Sequence, residues 1–223
     1  MVRRRVRVVW LGDSLAVLSS FSDEAKFQLG KDLERMQNGE RPLDYSSMAP
    51  VLPGVIELRD EDRDFWYRVF CLDSRDVVFV LHCFRKTTNQ TSTRDVELGK
   101  ARLKLAQEIV AEKRGEQDMA KSAKSISHIS YGSVLDDLDI APGKLASFKL
   151  RAELHANIIK VASRYSQAEL QELLNESQPR VSDFLRGKVT KFSLETLVEY
   201  AERLGMRPQI KTEAPRKPRE MYA

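Results

Sequence analysis

At 223 residues, with 42% hydrophobic and 31% charged side chains, the chain has enough apolar residues for one large or two small soluble cores. No apolar run approaches the roughly 18 residues of a membrane helix, and Gly12 and Asp13 break the basic opening MVRRRVRVVWLG too early for a secretion signal. The formal charge of +4 is unevenly placed. Residues 1–118 hold equal numbers of basic and acidic side chains, so the excess lies in 119–223, as suits a nucleic-acid-facing second half.

Residues 3–10 alternate and read as an edge strand. Asp13-Ser14 opens a short helix through Phe21, and Ser22-Asp23-Glu24 opens a longer one, with Ala25, Leu29, Leu33 and Met36 on one face and its end near Asn38-Gly39. Residues 40–54, with three prolines, read as a loop. Three strands follow at 55–59, 65–72 and 77–85, rich in β-branched and aromatic residues and joined by charged turns as an antiparallel meander. Their Cys71 and Cys83 lack CxxC spacing and read as buried free thiols of a reducing cytosol. A helix from Asp95 to about Lys113, with Leu98, Arg102, Leu105 and Ile109 on one face, completes an α+β module whose helices cover one face of a small sheet.

Met119 begins a small, polar stretch, MAKSAKSISHIS, which reads as the junction of two modules, with 119–144 as linker and N-terminal segment of the second. Tyr131–Ile140 has room for a short helical turn, and 145–164 reads as a helix with Phe148, Ala152, Ile159 and Ala162 on one side. The second module then runs to 210, and 211–223 is a basic, proline-bearing tail that reads as mobile.

The most explicit signals lie in 166–204. Ser166-Gln167-Ala168-Glu169 is a capping box with Tyr165 and Leu170 placed as a hydrophobic staple. Asn175-Glu176 makes a tight turn, Ser177 caps the next helix with Pro179 in its first turn, Gly187 stops it, and Ser193 caps a third. The middle pair has helix-turn-helix spacing, which presents its second helix to the DNA major groove. Val181 and Phe184 face back onto Leu170 and Leu174, leaving Gln178, Arg180, Ser182, Asp183 and Arg186 outward; Gln and Arg are the side chains that pair bidentately with purine edges. Gln167, Ser177, Lys188 and Lys191 are placed for phosphates.

Residues 1–118 contain no metal-ligand cluster, no glycine-rich phosphate loop and no nucleophile triad, so no cofactor is expected. They do place cations on strands: Arg59, Arg68 and a period-two row His82, Phe84, Lys86. Cations with an exposed ring suit RNA, whereas His82 and Phe84 in a core would leave only solvated strand ends.

The phrases YGSVLDDL, LRAELHANI, SQAELQELL, ESQPRVSDFLRGK and FSLETLVEYAERLG resemble HigA-type antitoxins of the Xre-like helix-turn-helix family. VVWLGDSLAVLSSF, GVIELRDED, FWYRVFCLD and VVFVLHCFRKTTNQTSTRDVELGKARL resemble the phage-derived branch of the RelE/HigB toxins. The second resemblance implies a compact α+β ribosome-dependent mRNA endoribonuclease, with Arg59 and Arg68 on phosphate, His82 and Lys86 in proton transfer, and Tyr67 and Phe84 on bases. Thr87 and Gln90 stand where that family usually carries further basic residues. The first resemblance implies a dimeric repressor that binds a palindromic operator and neutralises the toxin, with Glu176 replacing the apolar residue common in the turn. Together they imply a cytoplasmic toxin–antitoxin pair in one chain, without membrane contact. The alternative is a DNA-binding repressor whose first module is an inactive fold used for protein contacts.

Overall fold

The computed structural model describes residues 5–74, 76–88, 90–112, 125–209 and 211; Arg3, Arg4, the Met119 junction and the tail from 212 lie outside the described residues. The first elements follow the sequence closely: strand β1 (Arg7–Leu11), helices α1 (Ser14–Ser19) and α2 (Asp23–Gln37), then strands β3 (Val55–Glu61), β4 (Trp66–Ser74) and β5 (Val77–Lys86), and helix α3 (Thr93–Glu112). Ser22 caps α2, its hydroxyl accepting the Ala25 amide. A short strand β2 (Tyr45–Ser47) lies within the proline-bearing stretch read as loop and pairs with β3.

With a further strand β6 (Ile126–Ser130), the described residues form a six-stranded sheet in the order β2-β3-β4-β5-β1-β6, and β1 runs parallel to β5. Its helices cover both faces rather than one. On one side Ala25, Leu29, Leu33 and Met36 of α2 pack with Val8, Trp10, Val69, Cys71, Val80 and Cys83. On the other, Leu103, Ala106 and Ile109 of α3 pack with Phe70, Phe79, Leu81 and Phe84. The two central strands are near-continuous apolar runs, as strands buried on both faces must be, and a one-sided reading underweights that. A bulge at Leu81 sets Phe70 opposite His82 but Cys71 opposite Val80.

The sixth strand, β6 (Ile126–Ser130), comes from the segment read as linker. It pairs antiparallel with β1, which is therefore an interior strand. The buried Trp10 indole donates to Ser130 Oγ at 2.9 Å. A 3-10 turn at Val134–Asp137 then lays Leu135 and Leu138 against Gly30 of α2, where an added Cβ would come within 2.6 and 2.7 Å of their methyl carbons. Gln37 Nε2 donates to Gly132 O while its Oε1 accepts the Val134 amide, and Lys26 Nζ donates to Asp139 O at 2.7 Å. These contacts pack 126–140 against the first domain, with Val134, Leu135, Leu138 and Ile140 buried in the cluster that lines α2.

The remaining helices are α4 (Pro142–Ala162), α5 (Gln167–Leu174), α6 (Gln178–Leu185) and α7 (Leu194–Arg203). Ser166 and Glu169 form the reciprocal capping box, and Asn175 takes the left-handed conformation (φ 51°) between α5 and α6. Ile158, Leu170, Leu174, Val181, Phe184, Leu197 and Tyr200 form a separate core. Phe148 at the start of α4 packs instead on Phe27, with ring centroids 5.0 Å apart. Among the described residues, no helix is long and apolar enough to cross a membrane.

Candidate functional site

Three adjacent strands set out a grid on the sheet face that carries α3. Arg59 stands opposite Arg68 and Glu61 opposite Trp66, while across β4 Arg68 faces Phe84 and Trp66 faces Lys86. Phe84 lies in the α3 core, so period-two alternation puts Arg59, Trp66, Arg68 and Lys86 on the same face. Arg59 Nη2 donates to Asp44 Oδ1 at 2.9 Å and to Tyr45 O at 3.2 Å. Arg68 Nη1 donates to Tyr67 O at 2.8 Å and Asp60 O at 3.2 Å, with Glu57 3.7 Å from its Nε. Lys86 Nζ lies 5.9 Å from the centre of the Trp66 ring. Desolvation first, and then the neighbouring Arg68 charge, lowers the Lys86 pKa, the direction that favours proton exchange near neutrality.

His82 belongs elsewhere. Four residues along a strand span about 13 Å, which separates it from Lys86. It is buried, stacks on Phe84 at 5.2 Å and holds Asp95 Oδ1 at 2.8 Å. Ser92 Oγ donates to the other oxygen of Asp95, whose amide donates back to Ser92, so His82 ties β5 to the capped start of α3. The rings expected to meet bases are buried as well. Phe84 is sandwiched in the α3 core, and Tyr67 points to the opposite face, packed on Phe21 with its hydroxyl on Asp62. Trp66 shares the face of Arg68 and Lys86 with Phe84 but lies outside the α3 core. It is partly exposed and belongs to neither core cluster. Strand parity was the signal for it: residues 66 and 68 share a face, 67 and 68 cannot.

In the second domain the expected DNA-facing residues divide by position. Ser177 and Gln178, at the start of α6, are exposed, and Gln167 at the start of α5 is partly so. Arg180 lies over the Phe192 ring at 4.3 Å, and Ser182 and Asp183 are partly buried. Glu176 accepts from the Tyr200 hydroxyl at 2.7 Å, so this turn residue is pinned to α7 by a polar contact. His155 Nε2 lies 2.7 Å from Phe184 O near the end of α6, and burial lowers its pKa.

The far end of α6 turns toward the first domain. Gly187, with φ 70°, passes so close to Leu43 that a Cβ would lie 2.3 Å from its methyl carbon. Lys188, read from sequence as a phosphate contact, is only 3% exposed. Its Nζ donates to Arg59 O at 2.6 Å and pairs with Asp44 Oδ2 at 2.9 Å and Asp60 Oδ1 at 3.0 Å. A charge taken out of water needs such partners, and these are all in the first domain. Lys191 bridges Asp183 at 2.9 Å and Glu61 at 3.4 Å. A cleft of about 120 Å³ remains between Arg59 and Arg68 on one side and Asp183 and Arg186 on the other. The structure thus brings Arg59, Arg68 and Lys86 together, leaves His82 apart, and closes the domain contact with Lys188.

Among the described residues, no cluster of three or more His, Cys, Asp or Glu is placed to hold a metal ion. No match was found among curated proteins or among solved structures. Two family models do match: residues 16–104 match the phage derived protein Gp49-like family (DUF891), and residues 135–213 match a helix-turn-helix domain. The chain joins an N-terminal Gp49-like domain to a C-terminal helix-turn-helix domain.

Proposed function

We propose that this chain is a toxin–antitoxin pair held in cis: an mRNA endoribonuclease of RelE/HigB type, acting on the ribosome, restrained by a HigA-type domain that represses its own operon. The observation that carries this reading is Lys188, a cation from the helix-turn-helix domain buried between Asp44 and Asp60, against the strand that bears Arg59. In the nuclease, Arg59 and Arg68 bind the scissile phosphate and stabilise the negative charge that builds on it. Lys86, its ammonium destabilised by burial and by Arg68, exchanges a proton with the ribose 2′-hydroxyl or the leaving oxygen. While docked, the second domain places Asp183, Arg186 and Lys191 over this corner and excludes RNA from it.

Operator recognition falls to the exposed start of α6, with Gln178 reading a base edge and Ser177 and Gln167 on phosphates. Arg180 and Ser182 follow along the same helix, and Asp183, Arg186 at its C-cap, and Lys191 join them where undocking frees them. A palindromic operator is met by a homodimer. A second reading, a DNA-binding repressor with an inactive first domain, is favoured by the sequestration of His82 and by Thr87 after Lys86.

One experiment separates the two. In a reconstituted translation reaction, the Lys188→Met chain cleaves ribosome-bound mRNA and the parent chain does not, while Lys188→Met with Arg68→Ala is silent. A Lys188→Met chain that binds operator DNA but cleaves nothing supports the inactive-domain reading.

A further inference from the structure

The grid of Arg59, Trp66, Arg68 and Lys86 contains one side chain with no part in the phosphate or proton chemistry. Trp66 begins β4, is partly exposed, and packs in neither of the clusters that sandwich the sheet. The chain's other tryptophan, Trp10, is fully buried with its indole N–H bonded to Ser130. Partial exposure of one ring is ordinary in itself, so what distinguishes Trp66 is the company it keeps.

Along β4 the next side chain on the face is Arg68, and directly across on β5 is Lys86, whose ammonium lies 5.9 Å from the ring centre. On the other flank Glu61 stands opposite in register, and Lys191 of the docked domain lies 3.4 Å from it. A flat π-surface with cations on two sides is the arrangement that takes an unstacked base, with its phosphates on the cations. A DNA duplex offers no free base face, and an acidic peptide needs the cations but not the ring.

We infer that Trp66 is a stacking platform for one base of single-stranded RNA, in the nucleotide beside the phosphate held by Arg68. This rests on the reading of the first domain as an RNA-acting domain and adds the subsite that holds the substrate's base. Glu61 and the Lys191 contact place this subsite at the rim of the docked helix-turn-helix domain. Undocking then widens access to it without moving the ring.

The two tryptophans make the test direct, because Trp10 is too deeply buried to meet a ligand. The probe is a short single-stranded oligoribonucleotide, titrated into the full chain and into the Lys188→Met chain while tryptophan emission is followed. Saturable quenching is expected, stronger in Lys188→Met, and lost in Trp66→Phe, where only Trp10 emits. In parallel, anisotropy of a labelled probe is expected to show binding weakened about tenfold by Trp66→Ala and retained by Trp66→Tyr. An abasic probe of equal charge is expected to bind the Lys188→Met chain and its Trp66→Ala derivative alike. Equal binding of the intact probe by Trp66→Ala and its parent overturns the stacking site while leaving the domain an RNA binder. No binding by any variant overturns the site together with the nuclease reading.

Discussion

Replacing Lys188 by methionine keeps the apolar stem and removes the charge. In the parent chain that charge faces Asp44 and Asp60, of which Asp44 has a second partner in Arg59. Asp60 is the carboxylate left bare, and burial already pushes its pKa up. Stripping one partner from a buried, hydrogen-bonded ion pair costs about 3–5 kcal/mol, most of it the penalty of the orphaned charge. The domains can relieve that penalty by separating and letting water reach Asp60, so the loss falls on docking more than on either core. At about 1.4 kcal/mol per decade, the undocked population rises a hundredfold or more. Hydrogen exchange reads this at the Val189 and Lys191 amides, which are bonded to Gly187 O and Lys188 O in the docked loop. Their protection is expected to fall by two orders of magnitude while the amides of β4 and β5 stay protected. Adding Asp60→Asn, which removes the bare charge, is expected to restore most of the protection. Unchanged exchange in Lys188→Met refutes the reasoning, since the pair would then contribute no more than a surface contact.

Further outcomes follow from other contacts. Gly30→Leu is expected to expel Leu135 and Leu138 from α2, overpacking costing about 1–3 kcal/mol or more, and limited proteolysis checks it by new cleavage within 126–140. Burial pushes the Asp32 carboxyl to about 6, with Lys188 and Arg35 pulling it down and Asp44 pushing it up. Because the unfolded carboxyl ionises first, stability falls as pH rises from about 4 to about 6, by an amount on the order of 3 kcal/mol that is fully lost above it. Asp32→Asn should flatten that slope in melting curves. His155 acts in the opposite sense: its lowered pKa means stability is present above its ordinary 6.5 and lost as pH falls below it, so melting of the helix-turn-helix domain should soften in mild acid and His155→Gln should remove the effect. Gln178→Ala is expected to cost about 1–3 kcal/mol of operator affinity but almost none of non-specific DNA affinity, as competition gel shifts would show.

Local chemistry was readable wherever it is local. The Ser166–Glu169 box, the left-handed Asn175 and the Ser22 and Ser193 caps depend on neighbours within four residues, and each stands where its spacing places it. The helix-turn-helix packing of Val181 and Phe184 on Leu170 and Leu174 follows from the same short periods. What escaped depends on distant partners. Ile126–Ser130 has the composition of a linker and becomes a strand only because β1, well over a hundred residues earlier, offers it an edge. Lys188 in a loop after α6 looks like any solvated cation until Asp44 and Asp60 arrive from the other domain. Of the proposed nuclease residues, Arg59, Arg68 and Lys86 do converge, because strand parity is visible in sequence. His82 obeys the same parity but sits too far along β5. Tyr67, one residue out of step with Arg68, falls on the opposite face.

The sixth strand also bears on how the protein is made. Synthesis delivers β1 to α3 first, and until residues 126–140 emerge β1 has an unpaired edge and α2 an open groove at Gly30. Exposed edges of this kind recruit other strands. The stretch that closes both is complete roughly 30 residues after α3, about two to six seconds of elongation at 5–20 residues per second. Separate chains would have to find each other by diffusion. Here the covering segment reaches its site within seconds of the domain it packs against, and in equal number, so a nascent chain has almost no interval in which that edge and groove stand open.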